Sequence, residues 1–307
     1  MKKLLTLAML LLLSLTVMTG CGEESAEKSA ETDNDKKIVV GAKNFTEQFL
    51  LAKITTLYLK ENGYQVEEKN NMGSEVLRKA LANEQVDLYW EYTGTSLVNY
   101  NDQEPVANGD KAYEKVKELD KEQDIVWLNK SDINNTYSLI MRQDKAEKLG
   151  IKSIQDLADY MKDNELTIAS NAEFATRPDG LRGVQKEYDF RFKPANIVKM
   201  DSGLVYEALK NEQVDVSVGF ATDSRIKKFD LMILEDTKEF FPAYNAAITI
   251  RQGVLDNNPE LKELLQPLAE KLDTEKMTNL NYQVDVEQKN ATEVARKWLK
   301  DNDLLQK

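Results

Sequence analysis

The segment Met72–Tyr92, MGSEVLRKALANEQVDLYWEY, recurs as Met200–Phe220, MDSGLVYEALKNEQVDVSVGF, without a gap and with NEQVD intact. A fixed-offset repeat counts structural units, so nothing else in the chain restricts the fold as strongly. The offset of 128 residues is too long for stacked solenoid units and implies two lobes of similar build. Each copy opens with a serine suited to helix capping, Ser74 or Ser202. Apolar residues follow at helical spacing, Leu77, Ala80 and Leu81 in one copy and Val205, Ala208 and Leu209 in the other. A polar NEQ turn then leads into a short strand. In open α/β sheets ligands collect beyond the carboxyl ends of strands, so Tyr92 and Phe220 should face one cleft.

The first residues are of a different kind. Lys2 and Lys3 precede an apolar run from Leu4 that ends at Thr19-Gly20-Cys21, the layout of a secretory signal over residues 1–20. The run is short for a spanning helix. Cys21, the only cysteine, excludes an intrachain disulfide. Its setting resembles the bacterial lipobox, with Met18 where leucine is usual, and lipidation of Cys21 would anchor the chain on the outer face of a bacterial cell membrane. The plainer alternative is a free thiol behind an ordinary signal. Residues 21–36 are acidic, small and polar and read as a flexible tether, unable to bury enough surface to offset their ordering. Removing residues 1–20 takes the net charge from −12 to −14, which argues against nucleic acid and against a basic membrane-docking face.

In the mature chain, Ile38–Val40 is a β-branched run, Gly41–Asn44 a turn, and Asn44-Phe45-Thr46-Glu47 has capping-box spacing before a helix that Gly63 stops. The counterpart in the second lobe is Leu166–Val184, with Phe174 near the position of Phe45. Asp110–Lys121 reads as a charged surface helix, Ile125–Tyr137 as a strand with an irregular continuation, and Gly150–Tyr160 as a helix boxed by Ser153 and Asp156. Crossings between lobes are expected near Ser131–Thr136 and Phe241–Asn245. Pro259–Leu272 and Glu287–Leu299 read as two amphipathic helices returning to the first lobe. Residues 37–132 plus 245–307 thus make lobe 1, and 133–244 lobe 2.

No catalytic engine stands out. The chain has no histidine, which removes the commonest general base and every Ser-His or Cys-His arrangement. P-loop, GxGxxG and HExxH motifs are missing. An acid pair for glycoside hydrolysis is not singled out by any spacing. Neither cofactor nor metal is expected, and the chain reads as a non-enzyme.

GAKNFTEQ after the first strand, DLYWEYTGT at the end of the first repeat and NTYSLIMR at the first crossing resemble the substrate-binding lipoproteins of osmoprotectant ABC importers, the glycine betaine, carnitine and choline group of the Opu type. The resemblance covers essentially the whole mature chain. It implies an α/β, two-lobed periplasmic-binding-protein fold of type II with two crossings. It also implies a monomeric receptor that hands a quaternary ammonium solute to an ABC permease and ATPase complex. By position, the family's aromatic cage would be Tyr92, Tyr137, Phe220 and Tyr244; Phe220 stands where the family usually has tyrosine, keeping the ring face and losing the hydroxyl.

The chemistry is consistent with that expectation. A quaternary ammonium has no N–H to donate, so ring faces must recognise it, at about 0.5–1 kcal/mol each when exposed and about 2 when desolvated. A ligand carboxylate wants donors, and Lys43, Asn44 and Thr95 are the candidates. The neutral Thr95 favours a broad compatible-solute binder over a choline specialist. Tyr89, Trp90, Phe45 and Phe174 read as packing, and Arg177 either ties the lobes or caps a helix. A rival of the same fold would be an amino-acid or polyamine receptor, with Glu91 or Asp223 aimed at an N–H-bearing ammonium. A secreted enzyme is the third possibility.

Overall fold

The computed structural model describes residues 36–305, so the leader, Cys21 and all of the tether but Lys36 lie outside the described residues. The strands are β1 (Lys37–Lys43), β2 (Gln65–Met72), β3 (Leu88–Tyr92), β4 (Ile125–Asn134), β5 (Tyr137–Arg142), β6 (Ile168–Ser170), β7 (Ile197–Lys199), β8 (Val216–Phe220), β9 (Leu231–Ile233) and β10 (Asn245–Arg251). They form two five-stranded sheets, β2-β1-β3-β10-β4 and β7-β6-β8-β5-β9. Each carries a parallel trio flanked by an antiparallel strand, β10 beside β3 in one and β5 beside β8 in the other. The chain passes between sheets twice, through residues 135–136 and 234–244. Among the described residues no helix is long and apolar enough to cross a membrane.

The repeat is structural down to single atoms. Helix Ser74–Ala82 feeds β3 and helix Leu204–Lys210 feeds β8. Beneath them, Leu77, Ala80, Leu81 and Val86 form one apolar cluster, and the positions 128 residues on, Val205, Ala208, Leu209 and Val214, form another. The shared NEQVD has a structural reason at its two acidic positions. Glu84 and Glu212 sit at left-handed φ values of 59° and 60°, reversing the chain after the helix. Asp87 accepts the Val39 N–H at 2.7 Å, and Asp215 accepts the Thr167 N–H at 2.7 Å, so each aspartate fixes the start of the neighbouring parallel strand. Both carboxylates also take a cation at or just past the end of an antiparallel strand, Arg251 at 2.5 Å and Lys145.

Several local expectations change. Gly41 lies within β1, because a Cβ there would meet Leu77 at 2.5 Å and Val86 at 2.9 Å; the glycine lets the repeat helix approach the strand. Helix Thr46–Glu61 has no side-chain cap, because its N-cap is Phe45, which carries no acceptor, and Glu47 is engaged elsewhere. Ser74 is already helical behind Gly73, and Gly203, not Ser202, precedes the second repeat helix. The box at Ser153 and Asp156 is present as expected. The tail has three helices, not two: Thr274–Asp285 stands between Leu261–Glu270 and Ala291–Asp301. Its stripe is interrupted by Asn281, which is buried against Glu47 instead of apolar neighbours.

Candidate functional site

Register brings the four rings together. Tyr92 ends β3 and Phe220 ends β8. Across the antiparallel pairs, Tyr137 opens β5 directly opposite Phe220, and Ala246 stands opposite Tyr92, with Tyr244 two residues upstream. The ring of Tyr137 lies 5.0 Å from Phe220 and 5.5 Å, edge-on, from Tyr244. Tyr92 joins through Phe45, which stacks 6.2 Å from Tyr92 and 5.2 Å from Phe220. Phe174 leans on Tyr137 at 5.0 Å. Phe45, read from sequence as packing, is half-buried and belongs to the ring cluster. Tyr89 and Trp90 are interior as expected, their polar atoms bonded to Glu91 and Thr55.

A cavity of about 250 Å³ opens beside these rings, bounded by Asn44, Phe45, Tyr137, Asn171, Ser202 and Phe220. A larger hollow of about 520 Å³ lies at Met161, Arg182 and Phe190 and contains none of the four rings. We take the smaller as the site, because it is lined from both sheets: Asn44 and Phe45 follow β1, Tyr137 opens β5 and Phe220 ends β8.

The candidate tail donors fall in different settings. Asn44 is exposed at the cavity wall. Lys43 is buried, 2.5 Å from Glu91 and 5.2 Å from the Tyr92 ring centroid. Thr95 is buried and accepts a hydrogen bond from Arg177 at 3.3 Å. Arg177 therefore ties the lobes rather than capping a helix. Asp179 grips its guanidinium with two bonds of 2.7 Å, its carbon lies 5.3 Å from the Tyr137 centroid and 5.6 Å from that of Tyr244, and it donates to the Tyr244 hydroxyl at 3.3 Å. Tyr244 in turn donates to Asp179. A second tie across the cleft joins Glu173 to Ser74, which gives its backbone N–H at 2.6 Å and its hydroxyl at 3.0 Å.

The carboxylates that an N–H-bearing ammonium would need are occupied. Glu91 holds Lys43 and accepts from Tyr89, Tyr100 and the Tyr92 backbone, and Asp223 is clasped by Arg225. Glu47, not singled out from sequence, is different. Its carboxylate accepts the Tyr92 hydroxyl at 2.7 Å, Asn135 at 3.0 Å, Thr222 at 2.6 Å and Asn281 at 3.3 Å. Burial pushes its carboxyl above the ordinary range, and those four bonds pull against the shift. Gln48 completes the support by donating to the Tyr92 hydroxyl at 3.1 Å. Burial, and then the Glu47 charge, push the Tyr92 hydroxyl well above its usual value, so this phenol stays a donor.

Residues 36–301 match the OpuAC family model, described as the substrate binding domain of ABC-type glycine betaine transport systems. A glycine-betaine-binding protein of Pseudomonas aeruginosa is 41% identical over 273 residues, 87% of this chain and 88% of the relative. The carnitine transport binding protein OpuCC of Listeria monocytogenes is 34% identical over 311 residues, 99% of this chain and 98% of its own length. A crystal structure of a glycine betaine/carnitine/choline ABC transporter aligns with a TM-score of 0.70 at 30% identity, covering 87% of this chain and 99% of that one. Lactococcal OpuAC, closed on glycine betaine, aligns with a TM-score of 0.62 at 18% identity, over 87% of this chain and 96% of its own, and shares the fold. The architecture is that of type II periplasmic binding proteins, two α/β lobes joined by two crossings. The chain belongs to the OpuAC family of substrate-binding domains of ABC-type glycine betaine transport systems.

Proposed function

We propose that this chain is the extracellular receptor of an osmoprotectant importer, anchored through Cys21, that captures a quaternary ammonium solute such as glycine betaine, carnitine or choline. The observation that carries this reading is the meeting of Tyr92 and Phe220, equivalent ends of a duplicated strand, with Tyr137 and Tyr244 in one aromatic cluster beside a cavity. Ring faces attract a methylated cation without hydrogen bonds, and several desolvated faces together outweigh the cost of ordering a small rigid ligand. Asn44 supplies an amide for the tail, and Thr95 a hydroxyl steered by Arg177. Lys43 adds a charge but must share it with Glu91. Contacts from both lobes favour the closed population, the form that a permease and its ATPase would receive. The receptor acts as a monomer, without catalysis and without nucleic acid.

The occupied state of Glu91 and Asp223 weighs against an amino-acid or polyamine ligand. Titration calorimetry with glycine betaine, proline betaine, carnitine and choline, alongside lysine and spermidine, separates the two classes. Heat from the methylated compounds alone is the expected result. Saturable binding of lysine or spermidine with silence from all the betaines would overturn the proposal.

A further inference from the structure

Among the described residues, the buried acids around the ring cluster each hold a cation except one. Lys43 is held by Glu91, Arg177 by Asp179, and Arg225 by Asp223, the last also reaching Asp285 at 3.5 Å. Glu47 has partners from four elements, and each is neutral: Tyr92 of β3, Asn135 of the first crossing, Thr222 beyond β8 and Asn281 of helix Thr274–Asp285. Its side chain is only 2% exposed. A buried carboxylate without a cation is among the costliest groups a fold can carry, whereas a neutral amide would satisfy most of the same partners. Gln48, one residue on, already bonds the same Tyr92 hydroxyl as an amide.

We propose that Glu47 is the counter-charge of the aromatic site, a positioning residue that keeps a negative charge one hydroxyl behind Tyr92 so that the pocket selects a permanently cationic head over its uncharged isostere. The inference rests on the quaternary ammonium reading and names the group that gives it charge selectivity. Two effects act in the same direction. A phenol that donates to a carboxylate gains electron density, which deepens the attraction of its face for a cation. Through space, a unit charge about 7 Å away at an effective dielectric of about 20 changes an equilibrium constant on the order of fiftyfold. The donors around Glu47 orient it without cancelling its charge, and the incoming ligand supplies the missing positive partner.

The chain has no histidine, so any pH dependence of binding near the site falls to its carboxyl groups. Glu47 and, on the neighbouring helix, Asp285 are raised, both by burial; Asp285 is opposed by Arg225 and Thr46. The other charged groups facing this crevice are Asp223 and Arg225, paired with each other. Because the Glu47 value is raised, its charge is present above that value and lost as the pH falls through it. Affinity for a betaine should therefore weaken in acid.

The test is calorimetry on the full chain with glycine betaine and with its tert-butyl analogue, carbon replacing nitrogen, from about pH 4 to about pH 8 for wild type, Glu47→Gln and Asp285→Asn. At neutral pH Glu47→Gln should bind glycine betaine on the order of tenfold or more weakly, with a flat pH profile and with its preference over the tert-butyl analogue narrowed by the same factor. Wild type and Asp285→Asn should both lose affinity in acid. A folded Glu47→Gln within about twofold of wild type, an unchanged preference between the two ligands, or a flat wild-type profile would each overturn the proposal. Should Glu47→Gln fail to fold, the wild-type and Asp285→Asn profiles decide. A wild-type chain that binds no quaternary ammonium at any pH defeats the functional reading itself, an outcome distinct from these.

Discussion

Replacing Tyr137 by leucine keeps apolar bulk at the centre of the cluster and removes only the π-face and the hydroxyl. The ring is 6% exposed and touches Phe174 at 5.0 Å, Phe220 at 5.0 Å and Tyr244 at 5.5 Å. Aromatic pairs contribute about 0.5–1.5 kcal/mol each beyond the area they bury, so losing three costs about 2–4 kcal/mol of stability. A desolvated face contributes about 2 kcal/mol to a bound cation, which is about thirtyfold in affinity. Urea unfolding followed by fluorescence gives the first quantity and calorimetry with glycine betaine the second. Tyr137→Phe is the companion variant: it retains the face and should bind within about threefold of wild type. The reasoning is refuted if Tyr137→Leu binds as tightly as wild type. It is equally refuted if Tyr137→Phe loses as much as Tyr137→Leu, since the hydroxyl and not the face would then carry recognition.

Gly94→Ala places a Cβ 2.8 Å from the Tyr244 ring and 3.0 Å from the Ala243 carbonyl, so the ring must move. Overpacking of this kind costs about 1–3 kcal/mol, and ligand affinity should fall about tenfold in the same calorimeter. Arg78→Met strands the buried Asp120 carboxylate, which Arg78 holds at 2.7 Å and 3.0 Å, and should lower stability by about 3–5 kcal/mol with little effect on ligand affinity. Its readout is the shift of the urea midpoint. Glu173→Gln weakens the two bonds from Ser74 across the cleft, each worth about 1.5–3 kcal/mol when charge-assisted. The ligand-free protein should then expand in small-angle scattering and contract again when saturated.

Where the repeat ran, side-chain identity was enough to read structure. Asp87 and Asp215 hold the starts of equivalent strands, and Glu84 and Glu212 turn the chain at equivalent left-handed positions, so the same letters recur for the same physical reasons. Tyr92 and Phe220 were legible as strand ends because alternation and helix periodicity are local signals. The supporting residues were not legible, because their partners lie far off in the sequence. Glu47 reaches Thr222 across the cleft and Asn281 on a tail helix, and its place beside Thr46 read as a capping box. Phe45 stacks between two rings that only sheet register brings near it. Arg177 declared itself only through Thr95 and Tyr244. Helix Thr274–Asp285 escaped notice because its inward face carries Asn281 and Asp285, which bond to Glu47 and Thr46 where periodicity looks for apolar side chains.

A crystal structure grown with glycine betaine or carnitine would show where a methylated head is held. The expected density lies between the lobes, its methyl groups against the faces of Tyr92, Tyr137, Phe220 and Tyr244 and its carboxylate within reach of Asn44 or Thr95. Density in the hollow at Met161 and Arg182, or a bound state in which Tyr92 and Phe220 share no pocket, would contradict recognition of the cation by ring faces from a duplicated strand.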